Sequence, residues 1–454
     1  MNQSLSRNFT FGQLVWYALP SIIMMVFMSL YTIVDGFFVA RFVSTDALSA
    51  INIVYPVINL ILGVSIMLAT GGSAVVARLM GEGRHQEARE NFSLIVVVGV
   101  IAGVVISAVG MLFTDPIIRL LGGSGDLLPL CRSYLQILLL FAPAYILQML
   151  FQAFTMTAGK PALGMISTIL AGVVNGILDY LLIVPLGMGI AGAALATAAG
   201  YLVPAAIGII FFIRNKEGLH FTKPKFRGQV LRQSCLNGSS EMVTNLSTSV
   251  VTFLFNILML HYLGSDGVAS ITIVLYTQFL MTAVHLGFSL GVAPVISYNY
   301  GCANHTRLQN TFRSCMLFTL ISSVLVFAVS LAFPSPIVSI FSAPGSRVYD
   351  ITLHGFVLFS INYLFSGVNI FSSAFFTALS NGKISAIISF LRTFVFLVAG
   401  MLLLPTLLGV DGIWLSVPLA ELLTIFVSVL YLRGQRKNYH YTREPHNKQK
   451  VQPN

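Results

Sequence analysis

The sequence predicts an all-α polytopic membrane protein: twelve transmembrane helices arranged as two homologous six-helix lobes, related by a pseudo-twofold axis along the membrane normal. Three observations carry this. Of 454 residues, 56% are hydrophobic and only 9% charged, against roughly 25% charged in soluble proteins. The apolar residues come in long continuous runs, each near the ~20 residues a span needs, not in the alternating ten-residue segments of a barrel wall. The chain also resembles itself at an offset of 220 residues. Together these exclude an ordinary soluble enzyme, a disordered chain and a β-barrel.

Apolar runs between polar breaks place the spans at about 14–40, 48–78, 91–113, 130–156, 162–184, 190–213, 235–262, 268–300, 312–334, 350–378, 384–408 and 412–432. Several exceed the minimum length, so tilting or extension past the bilayer is expected. The first run is too long for a signal-peptide core and lacks a small-residue cleavage site.

Orientation follows from Lys and Arg. With the N-terminus inside, Arg7, Arg78, Arg84, Arg89, Lys160, six bases from Arg214 to Arg232, Arg307, Arg313, Lys383 and six from Arg433 to Lys450 face the cytoplasm, 20 of 25 bases. Arg41, Arg119, Arg132 and Arg347 fall outside and Arg392 within a span. This asymmetry is the positive-inside pattern and expects both termini to be cytoplasmic. It accounts for the net charge of +10 without nucleic acid, and sets the basic tail beside anionic lipid headgroups. The expected organisation is a cytoplasmic N-terminus 1–13, an N-lobe 14–213, a basic cytoplasmic loop 214–234, a C-lobe 235–432 and a basic tail 433–454.

The repeat is read residue by residue. Ile53-Val54 matches Ile273-Val274. Gly71, Val75, Gly81, His85 and Phe92 match Gly291, Val295, Gly301, His305 and Phe312, and Pro185, Gly189 and Gly192 match Pro405, Gly409 and Gly412. From residue 41 to 120, 18 of 80 pairs are identical without a gap, more than twice what apolar composition alone gives. Six spans per lobe means both lobes enter the membrane in the same sense, the parallel-repeat plan of alternating-access carriers. The lobes differ where chemistry is expected: Asp35 faces Phe255, Asp179 faces Ala399 and Asn175 faces Val395.

Five charged residues fall inside spans: Asp35, Asp179, Glu241, Arg392 and Glu421. Each costs at least about 2.5–3.5 kcal/mol to bury there, so such residues are functional or paired. Asp35 and Asp179 sit at similar depth, Tyr31 one turn before the first and Asn175 one turn before the second. Two such carboxylates repel when both are ionised, so one can hold a proton near neutral pH. Alternatively, with Asn175 and a hydroxyl they supply hard oxygens for a small cation such as Na⁺. Arg392 is expected to pair with Glu241 or Glu421. The alternative is a second proton or cation site in the C-lobe.

Pro20 removes a hydrogen bond from span 1 and is a candidate hinge coupled to Asp35. Met28, Met149 and Met156 belong to a methionine-rich N-lobe surface that could adapt to varied ligands. With Tyr31 and Gln152 they form a weaker candidate cavity. Cys131, Cys235, Cys302 and Cys315 show no metal or disulfide spacing and read as buried free thiols. His261, His285 and His354 are scattered and read as packed or headgroup-level residues. No Gly-rich phosphate loop and no hydrolase motif is present, so the chain is not expected to be an enzyme, to carry a cofactor or to use ATP.

At this point the chain resembles the MATE family (multidrug and toxic compound extrusion), in its bacterial DinF/MepA-like branch. The resemblance rests on Asp35-Gly36-Phe37-Phe38-Val39, Gly81-Glu82-Gly83-Arg84 with Ala88-Arg89, Ala158-Gly159-Lys160-Pro161, Asn175-Gly176-Ile177-Leu178-Asp179, and Gly189-Ile190-Ala191-Gly192-Ala193-Ala194. It implies a V-shaped pair of lobes in the bacterial plasma (inner) membrane. It also implies a monomer that exports small organic cations or amphipathic drugs in exchange for H⁺ or Na⁺. Carried over by motif, the coupling cluster is Asp35, Asn175, Asp179 and Thr197. Two other readings stand beside this. A lipid-linked oligosaccharide flippase would need a cationic cavity, and a membrane-embedded enzyme would need a reactive constellation that the sequence lacks.

Overall fold

The computed structural model describes residues 5–442, apart from the side chains of residues 35–41, 45 and 48. Seventeen α-helices follow in order among the described residues. They are α1 (Phe11–Phe42), α2 (Thr45–Gly81), α3 (His85–Leu112), α4 (Thr114–Leu120), α5 (Leu127–Leu140), α6 (Ala142–Thr157), α7 (Pro161–Ile183), α8 (Gly189–Arg214), α9 (Gly228–Leu263), α10 (Ser265–Gly301), α11 (His305–Ala332), α12 (Pro334–Ser339), α13 (Arg347–Ser360), α14 (Tyr363–Ala378), α15 (Gly382–Phe390), α16 (Phe396–Leu408) and α17 (Val410–Tyr439). A π-turn, Leu391–Val395, joins α15 to α16.

The two halves repeat each other element by element. The bounds of α2, α3 and α5 reappear in α10, α11 and α13 shifted by 220 residues. Local chemistry explains why the joints hold register. Ser44 caps α2 by accepting the Ala47 N–H at 3.0 Å. Gly189 and Gly409, paired by the repeat, both sit at positive φ (56° and 58°), where a side chain would be strained.

Among the described residues, ten helices are long and apolar enough to cross a membrane, and twelve spans result if each of two bent pairs counts as one. Those pairs coincide with the spans expected at 130–156 and 350–378 and add a bend within each. The chain bends by 52° between α5 and α6 and by 55° between α13 and α14. Hydropathy does not register direction, so both runs stay apolar through the break. In the first, Pro143 opens α6, where the ring cannot extend the preceding helix. In the second, Asn362 Nδ2 donates to the Phe359 carbonyl at 2.6 Å and satisfies an acceptor freed at the turn. By contrast, α1 runs unbroken through Pro20.

Outward faces of the long helices are apolar. Val97, Ile101, Val104 and Val105 of α3 are exposed, as are Leu317, Leu320, Ile321 and Leu325 of the equivalent α11. Such faces suit hydrocarbon, not water. The molecule is a multi-pass membrane protein.

The halves meet where α2 packs on α9 and α10 on α1. The seam is reciprocal. Asn59 Nδ2 donates to Ser249 Oγ at 2.7 Å, and Ser29 Oγ donates to the Phe279 carbonyl at 3.4 Å; residues 59 and 29 match 279 and 249 at the same offset. A Cβ on Gly71 would overlap the Ser234 carbonyl oxygen and press on Gly238, while one on the matching Gly291 would lie 3.2 Å from the Ala18 Cα. Backbones therefore touch directly along this seam, as small residues permit in membranes.

The segment between α8 and α9 lies against the first half. Arg227 pairs with Glu87, and Lys225 Nζ reaches Glu90 at 2.7 Å. Phe221 stacks on Phe92 with ring centroids 5.0 Å apart, and Thr222 N–H donates to Ser93 Oγ at 2.9 Å. The expectation for cysteine holds in part. Cys131 and Cys315 are buried, Cys235 is half-buried and Cys302 is exposed, because Cys302 lies just past the last residue of α10 and not within an apolar run.

Candidate functional site

In the first half, three of the expected residues are buried on α7 and α8, which pack on each other. Asn175 and Asp179 lie one turn apart on α7 and are 1% and 2% exposed. Thr197, on α8, is 8% exposed. Its hydroxyl donates to the Ala193 carbonyl of its own helix at 2.9 Å, which leaves the oxygen lone pairs free to accept. Gly200, one turn on from Thr197, lets α8 approach Asn175: a Cβ there would stand 3.4 Å from Asn175 Cβ. Asn175 Nδ2 is buried with no hydrogen-bond partner among the described residues, a donor that a closed apolar core would not tolerate cheaply. Asp35 belongs to α1, and its side chain lies outside the described residues.

A carboxylate, an amide and a hydroxyl oxygen in a dry helix interface form a hard-oxygen set. It can hold a proton on Asp179 or help to ligate a small monovalent cation. No group of three or more His, Cys, Asp or Glu able to hold a metal occurs among the described residues.

The weaker cavity residues lie on α1 and α6. Gln152 Nε2 on α6 donates to Thr168 Oγ1 on α7 at 3.2 Å and touches Met24 Sδ at 3.1 Å and Met28 Sδ at 3.5 Å, both on α1. Ser21 Oγ meets Met156 Sδ at 3.7 Å. Tyr31 lies near Gly172, where a Cβ would stand 3.7 Å from the tyrosine ring and 2.5 Å from that of Phe27. Met28, Gln152, Met156 and Tyr31 therefore belong to one region where α1, α6 and α7 converge. Met149, 6% exposed, packs into the apolar cluster against which Met28 also lies.

In the second half the partner of Arg392 is Glu421: Nε to Oε1 is 2.7 Å. Asn369 Nδ2 donates to Glu421 Oε2 at 2.7 Å, and Ser428 Oγ donates to Asn369 Oδ1 at 2.9 Å. Glu241 does not join this pair. It is half-buried and within Coulombic reach of Arg392. His285, 2% exposed, lies within the same reach, with Nε2 3.4 Å from Ser323 Oγ.

Asn369 and Ser428 escaped the sequence reading, although a signal was present, whereas His285, read as packed or headgroup-level, is buried. Asn369 stands opposite Met149 in the repeat, Arg392 opposite Gly172 and Glu421 opposite Tyr201. The second half breaks the repeat with a polar set of its own, as the first does with Asn175 and Asp179.

Comparison with known proteins agrees with this architecture. The MatE family model matches residues 20–181 and again 242–402. The chain is 23% identical over 428 residues to the multidrug export protein MepA of Staphylococcus aureus (strain bovine RF122 / ET3-1), covering 92% of this chain and 93% of that one. It is 23% identical over 434 residues to MepA of Staphylococcus saprophyticus, covering 93% and 94%. Among solved structures, a multidrug resistance MATE family transporter of the MOP superfamily in an outward-facing conformation superposes with a TM-score of 0.90 at 21% identity, over 97% of this chain and 98% of that one. A MOP superfamily transporter from Pyrococcus furiosus, whose binding pocket is described as of reverse polarity and suggestive of a different function, superposes at 0.89 with 22% identity, over 96% and 98%.

Proposed function

This chain belongs to the MatE family of membrane transporters, and on that premise we propose that it is a secondary active antiporter exporting cationic or amphipathic drugs or toxins in exchange for H⁺ or Na⁺. The observation that supports the coupling reading is the burial of Asn175 and Asp179, one turn apart on α7, with Thr197 also buried on the adjoining α8. A carboxylate held in so dry a place changes its charge only by taking up a proton or a cation, and that change is the currency of an antiporter. The names of the MepA relatives support multidrug export.

In the proposed cycle the ion arrives from outside and neutralises Asp179 and Asp35. The packing of α1 against α7 then rearranges, with Pro20 as the hinge, and cargo affinity falls. A ligand shifts such an equilibrium only through different affinities for the two states, so these acids must be more accessible in one state than in the other. Both termini face the cytoplasm of a bacterial plasma membrane, and the chain acts as a monomer. Because the fold is shared with a carrier of reverse pocket polarity, cargo charge is argued from this chain's own acids, and these favour cations over a pyrophosphate-linked lipid.

The test is counterflow in proteoliposomes with pH and Na⁺ gradients imposed separately, together with ethidium efflux from cells. Wild-type protein should concentrate ethidium against one of the two gradients. If the Asp35→Asn variant extrudes ethidium at the wild-type rate, Asp35 is not a coupling residue. If neither gradient drives uptake, the antiport reading fails.

A further inference from the structure

We propose that the end of the seam where α2 and α10 stop carries a binding site for a phosphomonoester, held between the two halves by Arg78, Asn299, His305 and His440.

The repeat exposes the site. In the first half His85, Ala88 and Gly218-Leu219 close around a cleft of only about 10 Å³, room for about one water. Advanced by 220, the same positions are His305, Leu308 and Asn438-Tyr439, and these line a cavity of about 290 Å³. The chain is anchored alike in both places. Arg89 Nε donates to the Gly218 carbonyl at 2.9 Å, and Gln309 Nε2, at the matching position, to the His440 carbonyl at 3.0 Å. The scaffold is shared, but the interior is not. Leu79 and Met80, 3% and 4% exposed, have Asn299 and Tyr300 as counterparts. Asn299 lies in the cavity wall, 1% exposed, and neither end of its amide has a hydrogen-bond partner among the described residues. An amide left so is costly, and leucine fills the matching place without that cost. Ala303 holds φ at 51° where its counterpart Gly83 stands at 78°, and His440 sits at 54°. Both line the cavity, and backbone strain of this kind gathers at ligand sites.

Charge and donors select the ligand. Arg78 ends a ladder of ion pairs that runs through Glu82 and Arg84 to Glu87, Arg227, Glu90 and Lys225, four bases against three acids. One positive charge is left over. Arg78 is the most loosely held of these bases: Nε stands 3.3 Å from Glu82 Oε1 without making a hydrogen bond, and Nη2 reaches Gln233 Oε1 only at 3.4 Å. The α10 carbonyls that would oppose an anion are already taken. Those of Tyr298, Asn299 and Tyr300 accept from the N–H groups of Cys302, Asn304 and Ala303 at 2.9, 3.2 and 3.0 Å. His305 and His440, with ring centroids 4.7 Å apart, add imidazole donors. A loose guanidinium, an idle amide and two imidazoles suit a phosphate dianion, which accepts charge-assisted hydrogen bonds on several oxygens. The cavity is roughly ten times the ~30 Å³ share of a liquid water, so a small organic group enters with the phosphate. Arg78 belongs to the first half and the other three residues to the second. The ligand is therefore gripped only while the halves touch here, and binding favours that arrangement.

Two sources present a phosphomonoester, a soluble metabolite and the headgroup of phosphatidic acid, and the test separates them. Glycerol 3-phosphate is titrated calorimetrically into the purified full-length protein in detergent and phosphate-free buffer. In parallel, the thermal midpoint is compared in nanodiscs containing phosphatidic acid or phosphatidylglycerol. Saturable binding of glycerol 3-phosphate assigns the site to soluble ligands. A midpoint raised by phosphatidic acid and not by phosphatidylglycerol, without that binding, assigns it to the lipid. Asn299→Leu, which installs the residue of the first half, should weaken the ligand that binds by at least about tenfold, the equivalent of one charged hydrogen-bond contact, without lowering the ligand-free midpoint. His440→Asn, whose side chain suits the left-handed backbone, should weaken it too and reads the site independently if Asn299→Leu folds poorly. Binding of neither probe, an equal effect of the two lipids, or unchanged affinity in both variants would overturn the site. None of these readouts involves transport, so the antiport reading stands or falls separately.

Discussion

Gly81 and Gly301 stand 220 residues apart in the chain and make the same contact in opposite directions. A side chain on Gly81 would overlap the carbonyl oxygen of Tyr298, and one on Gly301 would overlap that of Arg78. Since residue 298 is itself residue 78 advanced by 220, each half closes on the other through the same pair of positions. These glycines end α2 and α10, so the contact seals one end of the seam between halves.

Gly81→Val and Gly301→Val should therefore have matching effects. Overpacking of this kind costs about 1–3 kcal/mol and is paid only in the closed arrangement. It would move a two-state equilibrium by about 5- to 150-fold towards separation at this end. The check is alkylation of an engineered cysteine at Ser234, which is fully buried and lies on the α9 side of the seam. Labelling should accelerate in both variants, with a similar fall in drug efflux. Faster labelling in only one of them would contradict the reciprocal seam.

Asp179→Asn keeps side-chain volume and removes the buried charge. Because a carboxylate within a span costs at least about 2.5–3.5 kcal/mol, the variant should keep or raise its thermal midpoint in detergent. Gradient-driven efflux should nonetheless drop to the level of cells lacking the protein. Loss of efflux together with a lower midpoint would instead mark Asp179 as a purely structural residue.

The repeat was legible because turn chemistry preserves it. Ser44 as a cap and Gly189 and Gly409 at positive φ constrain the joints, and joints are where sequence varies least freely under a fixed geometry. Direction was not legible. The bends next to Phe141 and at Ile361–Asn362 lie in runs that stay apolar, and the π-turn around Arg392 leaves hydropathy unchanged. Asn175 and Asp179 could be placed on one face by spacing alone, but which acid meets Arg392 depends on how α15, the π-turn and α17 pack. Asn369 stands opposite Met149 in the repeat, so the sequence marks the position as polar but not the partner it takes.

The segment between α8 and α9 gives a pH-dependent prediction. Partial burial, with Arg89 nearby, holds the His220 imidazole below the usual histidine range. The packed segment thus prefers neutral His220. Its contribution is fully present above the unfolded value of about 6.5 and is lost as pH falls below it. Limited proteolysis between residues 215 and 227 should accelerate from pH 7.5 to 5.5. In His220→Gln, the part of that acceleration due to the imidazole should vanish. An identical pH profile in the variant would assign the loosening to other groups.

Glu421→Ala should be among the most destabilising substitutions in the second half. It leaves the Arg392 guanidinium without its acid and Asn369 Nδ2 without its carboxylate acceptor, the amide then bonded only to the Glu421 main-chain carbonyl at 2.9 Å. Removing one member of a buried pair costs about 3–5 kcal/mol, whereas replacing both members with apolar groups of similar volume is often neutral or stabilising. The thermal midpoint in detergent should therefore fall steeply for Glu421→Ala and recover in Arg392→Met/Glu421→Met. A double variant as unstable as the single one would mean that Asn369 and Ser428 hold this part of the bundle together independently of the charges.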